Sequence, residues 1–195
     1  MTNRLNGEFK RLVPTGPAIR EKRLASDPDR QAAIDGSGTT AVNVKATLSP
    51  DDLARACADA MWAEDDASRG LGMEIAEIKS GQATLTMTVR PEMVNGQRIA
   101  HGGFIFTLAD SAFAFACNSH NERTVAAQGN ITFIRPGKLG DKLVATAREI
   151  SRNGRSGIYD VTVTADDVVI AEFRGHSRTI GGTWLPVAET DSKQK

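Results

Sequence analysis

The sequence has little of what marks several common classes of protein. It holds only two cysteines, Cys57 and Cys117, which are too few for a disulfide framework and fit a reducing cytoplasm. Lys plus Arg and Asp plus Glu both number 24, so the net charge indicates neither nucleic acid nor an acidic membrane as a partner. No apolar run reaches the roughly 20 residues that a membrane-spanning helix needs, and no apolar signal-peptide core is present. These absences predict a soluble cytoplasmic protein.

Motifs for bound metals and cofactors are also missing or incomplete. Cys117 and His120 have a C-x-x-H spacing, but no second pair completes a zinc site. The sequence has no phosphate-binding loop and no dinucleotide fingerprint. We therefore expect neither a metal nor a cofactor.

Composition divides the chain into three parts. Residues 1–48 are polar and charged, and they predict a flexible extension with a short helix around Ala18–Leu24. An Arg-rich transit peptide is an alternative, although acidic residues such as Glu8 and Glu21 argue against it. Residues 49–183 carry the periodic pattern of a folded domain, and residues 184–195 are predicted to be a disordered tail.

Hydrophobic periodicity predicts the elements of the folded domain. Ser49 and Pro50 suit the start of a helix that should end before "RGLG". Two strands, a long apolar helix and four further strands follow, each strand rich in β-branched residues and bounded by turns. Because strands and helices do not alternate, an antiparallel sheet is favoured. The strands are "MEIAEIK", "ATLTMTVR", "TVAAQGNITFIR", "DKLVATAREIS", "GIYDVTVTA" and "VVIAEFRGHSRTI".

The long apolar helix carries one unexpected carboxylate. A helix that is apolar on every face is normally surrounded by protein, here by the sheet curling around residues 102–117. Asp110 lies in the middle of this segment, three or four residues from Phe106, Thr107 and Phe113. Its carboxylate either reaches solvent through a gap, bonds a nearby donor or is held for chemistry.

The helix begins at His101-Gly102-Gly103. Two glycines expose backbone N–H groups at the positive end of the helix dipole, which suits a carbonyl oxygen that becomes negative during a reaction. The alternative is a glycine turn that only leads into the helix. Gly103 and Asp110 are separated by roughly 10 Å along one straight helix, so they cannot share one reacting carbonyl within a single chain. If they form one site, the helices of two chains must run antiparallel in a dimer.

These residues resemble a known family. The pattern "NG-x-x-x-x-HGG-x-x-x-x-LAD-x-A-x-x-x-ACN" is similar to hotdog-fold acyl-CoA thioesterases, especially the phenylacetic-acid-degradation (hydroxyphenylacetyl-CoA) type. The resemblance continues through "NITFIRPGKLGDKLVATA", "SGIYDVTV" and "AEFRGHSRTIGGT" and covers roughly residues 52–183. It implies an α+β hotdog fold, in which a curved antiparallel sheet of five to six strands wraps one long helix. It also implies dimers joined edge to edge, homotetramers and active sites between subunits.

The resemblance also implies roles for individual residues. Asp110 matches the catalytic acid position, and Gly103, with Gly102 beside it, matches the backbone donor to the thioester carbonyl. His101 and Asn95 match polar groups near the scissile bond. The implied reaction is hydrolysis of an acyl-CoA, of phenylacetyl-CoA type, with Asp110 as general base or as nucleophile. Candidate substrate contacts are Arg135, Lys138, Arg152 and Arg155 for the CoA phosphates and Phe106, Phe113 and Phe133 for the acyl group.

Two other functions fit the same fold. A non-catalytic acyl-CoA-binding protein would bind the ligand without turnover. A hotdog enoyl-CoA hydratase would normally carry an Asp/His pair close in sequence, whereas His101 lies nine residues before Asp110.

Overall fold

The computed structural model describes residues 48–186. The predictions for residues 1–47, including the helix around Ala18–Leu24 and the transit-peptide alternative, lie outside this range. Between residues 48 and 186, no helix combines the length and the apolarity needed to cross a membrane.

The first helix, α1, spans Pro50–Glu64 and starts as predicted. The Ser49 hydroxyl accepts the Asp52 N–H at 3.1 Å, which satisfies one of the free donors of the first turn. Pro50 occupies the first helical position, where its missing N–H leaves no bond unmade.

The predicted end of this helix differs from the structure. Helix α1 ends at Glu64, and a second short helix, α2, spans Asp66–Gly70. Asp65 separates the two, because its carboxylate accepts the Ser68 N–H at 2.9 Å and so caps a new helix. A capping residue in the middle of a helical pattern therefore divides it.

Six strands and one long helix complete the domain in the predicted order. A short 3-10 helix, Pro91–Met93, precedes the long helix. All strand pairs are antiparallel, and the sheet order is β1-β2-β4-β5-β6-β3. The bounds are β1 Glu74–Lys79, β2 Gln82–Thr88, α3 Gly102–Cys117, β3 Thr124–Phe133, β4 Lys142–Asn153, β5 Ser156–Ala165 and β6 Val168–Thr179.

The sheet wraps α3, and this explains why the helix is apolar. Phe113 is fully buried, and its ring lies 5.5 Å from that of Tyr159 on β5 and 6.0 Å from that of Phe173 on β6. A Cβ at Gly175 would lie only 2.7 Å from the Phe113 ring, so glycine is needed for this close approach. The enclosed helix and the six-stranded antiparallel sheet confirm the predicted α+β hotdog fold.

Within the described part of the chain, strand β3 forms one edge of the sheet and pairs only with β6. Most of its residues are exposed, including Val125 at 44% and Phe133 at 52%. An apolar strand with one free edge is a ready template for pairing with a second chain.

The first residues of the predicted disordered tail are held against the domain. The Trp184 indole N–H donates to Asn118 Oδ1 at 2.7 Å. Asn121 Oδ1 accepts the N–H groups of Trp184 at 3.0 Å and Leu185 at 2.9 Å. The described chain thus stays in contact with the end of α3 up to Leu185.

Candidate active site

Helix α3 begins at His101, whose side chain caps it. The His101 backbone is extended (φ −66°, ψ 129°), and its Nδ1 accepts the Gly103 N–H at 2.9 Å. The His101 N–H donates to Met93 O at 2.8 Å, which holds the residue in place. Because Nδ1 accepts this bond, the neutral ring carries its proton on Nε2 and can donate from that atom. His101 is therefore a helix cap and a hydrogen-bond donor at the helix start.

A turn just before the helix positions Asn95. Its Oδ1 accepts the N–H of Gln97 at 2.9 Å and that of Ile99 at 3.4 Å. Arg98 has a φ of 61°, the left-handed conformation that lets the chain turn here. Since the side-chain oxygen of Asn95 serves the turn, its amide nitrogen is the group that can donate to a ligand.

A groove of about 490 Å³ lies on one side of the helix start; we call it the Arg135 groove. It brings together four predicted site residues: Asn95, Gly102, Phe133 and Arg135. A Cβ at Gly102 would lie 2.8 Å from Cζ of Phe133, so the glycine allows the ring to cover the helix start. The remaining lining residues are Ile99, Ala100, Ile105, Ile134 and Pro136.

A second groove, of about 420 Å³, is lined by Leu71, His101, Gly103, Phe104 and Thr107; we call it the Leu71 groove. The sequence prediction did not include Leu71, Phe104 or Thr107 as site residues. Phe104 and Thr107 each follow a predicted site residue in the sequence, so their place at the site could have been inferred from the sequence. Leu71 lies 30 residues before His101, and only the tertiary structure places it here.

Asp110 lies on helix α3, one turn after Thr107, and is half-buried. Desolvation raises the pKa of its carboxyl, and within residues 48–186 no cation or hydrogen-bond donor counters this effect. Thr107, one turn earlier, donates its hydroxyl to Gly103 O at 2.8 Å rather than to Asp110. The carboxylate is therefore partly removed from water, and no hydrogen bond or ion pair with another described residue holds it.

One chain does not bring Asp110 and the helix start together. Both belong to the single continuous helix α3, so Gly102 and Asp110 are about 12 Å apart at ~1.5 Å per residue. The premise of the dimer prediction, that the two lie on one helix, is met. The dimer itself stays a prediction.

The four predicted cations fall into two groups at opposite ends of the sheet. Arg135 donates to Val169 O at 2.9 Å, and the Lys138 N–H donates to Asp141 Oδ2 at 2.7 Å at the same end. Arg155 donates to Thr179 O, ten residues along β6 from Val169, or about 33 Å away at ~3.3 Å per residue. Arg152 pairs with Glu122 at 3.1 Å, near Arg155. The two groups cannot contact one phosphate group within one chain.

The three predicted phenylalanines also separate. Phe133 lines the Arg135 groove. Phe106 packs edge-on against Phe173, with ring centroids 5.3 Å apart. The contact of Phe113 with the acyl group stays a prediction; in the described chain Phe113 is buried in the core and lines neither groove. Its position on the helix face turned to the sheet is the reason.

Cys117 lies in the core, and the partly buried His120 pairs with Glu149. His120 Nε2 lies 2.7 Å from Glu149 Oε2, which also accepts the Tyr159 hydroxyl at 2.8 Å. Burial raises the pKa of Cys117 to about 12, which disfavours the thiolate that a metal would bind. Between residues 48 and 186, no three His, Cys, Asp or Glu side chains are grouped to hold a metal ion.

The curved sheet and the enclosed helix define a hotdog-fold protein, and the two grooves at the helix start are its candidate ligand site. The family model of the thioesterase superfamily matches residues 97–172. The acyl-coenzyme A thioesterase PaaI of Escherichia coli is 44% identical over 127 residues, which are 65% of this chain and 91% of the relative. This chain belongs to the thioesterase superfamily, as its resemblance predicted.

Solved structures and a more distant relative agree with this assignment. The structure of E. coli PaaI, from the phenylacetic acid degradation operon, matches with a TM-score of 0.68 and 42% identity over 69% of this chain and 99% of that one. A Streptococcus mutans protein bound to acetyl CoA matches with a TM-score of 0.55 and 28% identity over 57% of this chain and 90% of that one. Human acyl-coenzyme A thioesterase 13 is 32% identical over 52% of this chain and 74% of the relative.

Proposed function

We propose that this protein hydrolyses an acyl-CoA thioester to a carboxylic acid and free CoA, using Asp110 and the start of helix α3. The observation that carries the proposal is the half-buried Asp110 carboxylate, which has no partner among residues 48–186 and lies on a helix that begins with two glycines. The likeness to E. coli PaaI supports an aromatic acyl group of phenylacetyl type.

Gly102 is the better candidate for the donor to the thioester carbonyl. The Gly103 N–H already donates to His101 Nδ1 at 2.9 Å, whereas Gly102 lines the Arg135 groove beside Asn95. A helix N-terminus favours a negative oxygen at this position. The proposed donor therefore moves by one residue from the sequence prediction of Gly103.

The chemistry follows from these groups. Asp110 takes a proton from water, the water oxygen attacks the carbonyl carbon, and the C–S bond breaks to release a thiolate. A raised carboxyl pKa makes Asp110 a stronger base than an ordinary aspartate. In this proposal His101 Nε2 and the Asn95 amide donate to the thioester or to the water, because their other polar atoms are used within the chain. A thiolate is a good leaving group, so no strong acid is required.

Asp110 acting as nucleophile is the alternative, and an unlabelled product acid from a single turnover in ¹⁸O-labelled water would demonstrate it. A general base delivers ¹⁸O from labelled water into the product acid in the first turnover. An anhydride formed by Asp110 and opened at its own carboxyl carbon instead delivers an unlabelled protein oxygen.

A dimer paired along β3 completes the proposed site. Two antiparallel β3 edges extend the sheet across a twofold axis and bring two α3 helices face to face in opposite directions. The Arg155 end of one chain then lies near the Arg135 end of its partner, so both groups of cations can serve one CoA. The homotetramer and the cytoplasmic location stay predictions from the sequence.

The test is thiol release from phenylacetyl-CoA, measured with a thiol-reactive dye. We expect Asp110→Asn to lower kcat by about 10²-fold or more, while Asp59→Asn, an exposed helical aspartate, leaves it unchanged. Equal rates for Asp110→Asn and wild type would remove Asp110 from the mechanism. Binding of acyl-CoA without thiol release would favour the non-catalytic binding protein, and hydration of an enoyl-CoA without thiol release would favour the hydratase.

A further inference from the structure

The two grooves meet at the helix start and differ in chemistry. Gly102 belongs to the Arg135 groove and Gly103 to the Leu71 groove, because successive helical residues point about 100° apart. A thioester held by its carbonyl at this point has two arms, the acyl group and CoA. Each arm must leave the carbonyl in its own direction, and each groove offers one path.

Polar groups available to a ligand lie in the Arg135 groove. The Asn95 amide nitrogen can donate there, as described above. The Arg135 guanidinium uses Nη1 for Val169 O, and its other N–H groups provide a positive charge at the groove's edge. The pantetheine arm of CoA contains amides and ends in phosphates, which require such donors.

The Leu71 groove offers fewer free polar groups: apart from His101 Nε2 at the helix start, its polar side-chain atoms form hydrogen bonds within the helix. His101 Nδ1 accepts the Gly103 N–H, and the Thr107 hydroxyl donates to Gly103 O. Leu71 and Phe104 supply apolar walls, and among residues 48–186 no Asp, Glu, Lys or Arg side chain lines the groove. A volume of about 420 Å³ is within the range of small-ligand sites, roughly 300–1,000 Å³, and accommodates an aromatic acyl group.

We infer that the acyl group occupies the Leu71 groove, that CoA follows the Arg135 groove, and that Leu71 determines acyl specificity. The inference rests on the proposed thioesterase function. It places the acyl group away from Phe113 and Phe133, two of the side chains that the sequence predicted to surround it. Leu71 touches the acyl group and takes no part in the chemistry.

The experiment uses two readouts, one for each groove. The kcat/KM values for acetyl-CoA, phenylacetyl-CoA and decanoyl-CoA report on the acyl group, and inhibition by free CoA reports on the CoA arm alone. We expect Leu71→Trp to lower kcat/KM for phenylacetyl-CoA at least about tenfold relative to acetyl-CoA. Leu71→Ala, the milder change, is expected to favour decanoyl-CoA several-fold, roughly as one or two methylenes of extra room allow.

The matched variant is Arg135→Ala in the other groove. It should raise the inhibition constant of free CoA at least about fivefold and leave the ratio of kcat/KM values between acyl-CoAs within about twofold. Both Leu71 variants should leave the inhibition constant of free CoA unchanged. The inference is overturned if the Leu71 variants, folded by circular dichroism, keep the wild-type acyl ratio, or if Arg135→Ala alters that ratio. If wild type releases no thiol from any acyl-CoA, the proposed function itself fails.

Discussion

At the scale of single residues, Asp110 links activity to stability. Its half-buried carboxylate has no partner among the described residues, and burial raises its pKa. A raised carboxyl pKa means that the protonated form fits the folded chain better than the charged form does. The contribution of Asp110 to folding is therefore fully present at acid pH and is lost as pH rises through its folded pKa.

The upward direction of the Asp110 pKa shift gives a prediction about stability. We expect Asp110→Asn to unfold at the same temperature as wild type or higher at pH 7, because the amide removes the cost of a desolvated charge. The difference in unfolding temperature between the variant and wild type should shrink below the ordinary aspartate pKa of about 3.9, where Asp110 and the asparagine that replaces it are both neutral. Thermal melts at pH 3.5 and pH 7 measure it. A variant that melts well below wild type at pH 7 would show that the carboxylate is needed for folding.

The same pKa shift predicts the pH dependence of turnover. A general base must be ionised, so kcat/KM should fall as pH drops through the raised Asp110 pKa. The acid limb should therefore lie above the ordinary aspartate value of about 3.9. A pH profile of thiol release locates it, with correction for any unfolding. An acid limb at or below the ordinary value would argue against Asp110 as the base.

Gly102 gives a third residue-scale prediction. An added Cβ would lie 2.8 Å from Phe133 Cζ, so Gly102→Ala should displace the Phe133 ring and lower kcat/KM at least about tenfold by shifting the carbonyl donor. Because Phe133 is 52% exposed, its ring can move, and the fold should survive. The double variant Gly102→Ala/Phe133→Ala should regain part of the activity. No recovery would mean that the ring contact is not the cause.

At the scale of elements, the C-terminal segment stabilises the junction between α3 and β3. Asn118 Oδ1 accepts both the Trp184 indole N–H at 2.7 Å and the Thr124 N–H at 2.9 Å. Arg123 lies over the Trp184 ring, 4.3 Å from its centroid. One buried amide thus connects the end of the helix, the first residue of the edge strand and the chain after β6.

We expect Trp184→Phe to lower the melting temperature by about 2–4 °C, because one net hydrogen bond contributes about 1 kcal/mol in a domain of this size. Trp62→Phe is the matched control, since Trp62 packs against Phe115 at 5.9 Å and a smaller aromatic ring can keep that contact. Differential scanning calorimetry compares the two variants. A larger loss at Trp62 would mean that the Trp184 hydrogen bond adds little.

At the scale of the whole molecule, the free edge of β3 is where we expect a second chain to pair, and the proposed active site needs that second chain. The strand is exposed at most positions, and among residues 48–186 it has a pairing partner on one side only. The proposed site needs Asp110 of one chain and the helix start of another, since a single helix keeps them about 12 Å apart. Assembly and activity should therefore be lost together.

Val125→Asp tests this dependence. Val125 on the free edge is 44% exposed, and Ile150 on β4, away from that edge strand, is 42% exposed. A charge at Val125 should disrupt edge pairing, reduce the mass measured by analytical ultracentrifugation and abolish thiol release. Ile150→Asp should change neither. Full activity in a monomeric Val125→Asp protein would exclude a shared site.

Much of the fold was predictable because it depends on local patterns. The cap at Ser49, the alternation in β2 and the uniformly apolar α3 each report burial through periodicity, and the structure has the corresponding elements. Asp110 was also identified from sequence, because a carboxylate in an apolar helix is chemically conspicuous. The split between α1 and α2 was missed, since a capping Asp65 inside a helical pattern is only a weak signal.

The sequence by itself determined the order of the elements, the enclosed helix and the residues of the helix start, because neighbours in sequence are neighbours in those structures. Only the tertiary structure decided that Phe113 belongs to the core, that Arg135 and Arg155 lie at opposite ends of the sheet, and that Leu71 borders the helix start. The physical reason is that a groove is made by surfaces from distant parts of the chain. Their meeting depends on how the sheet packs around the helix, and no local pattern encodes it.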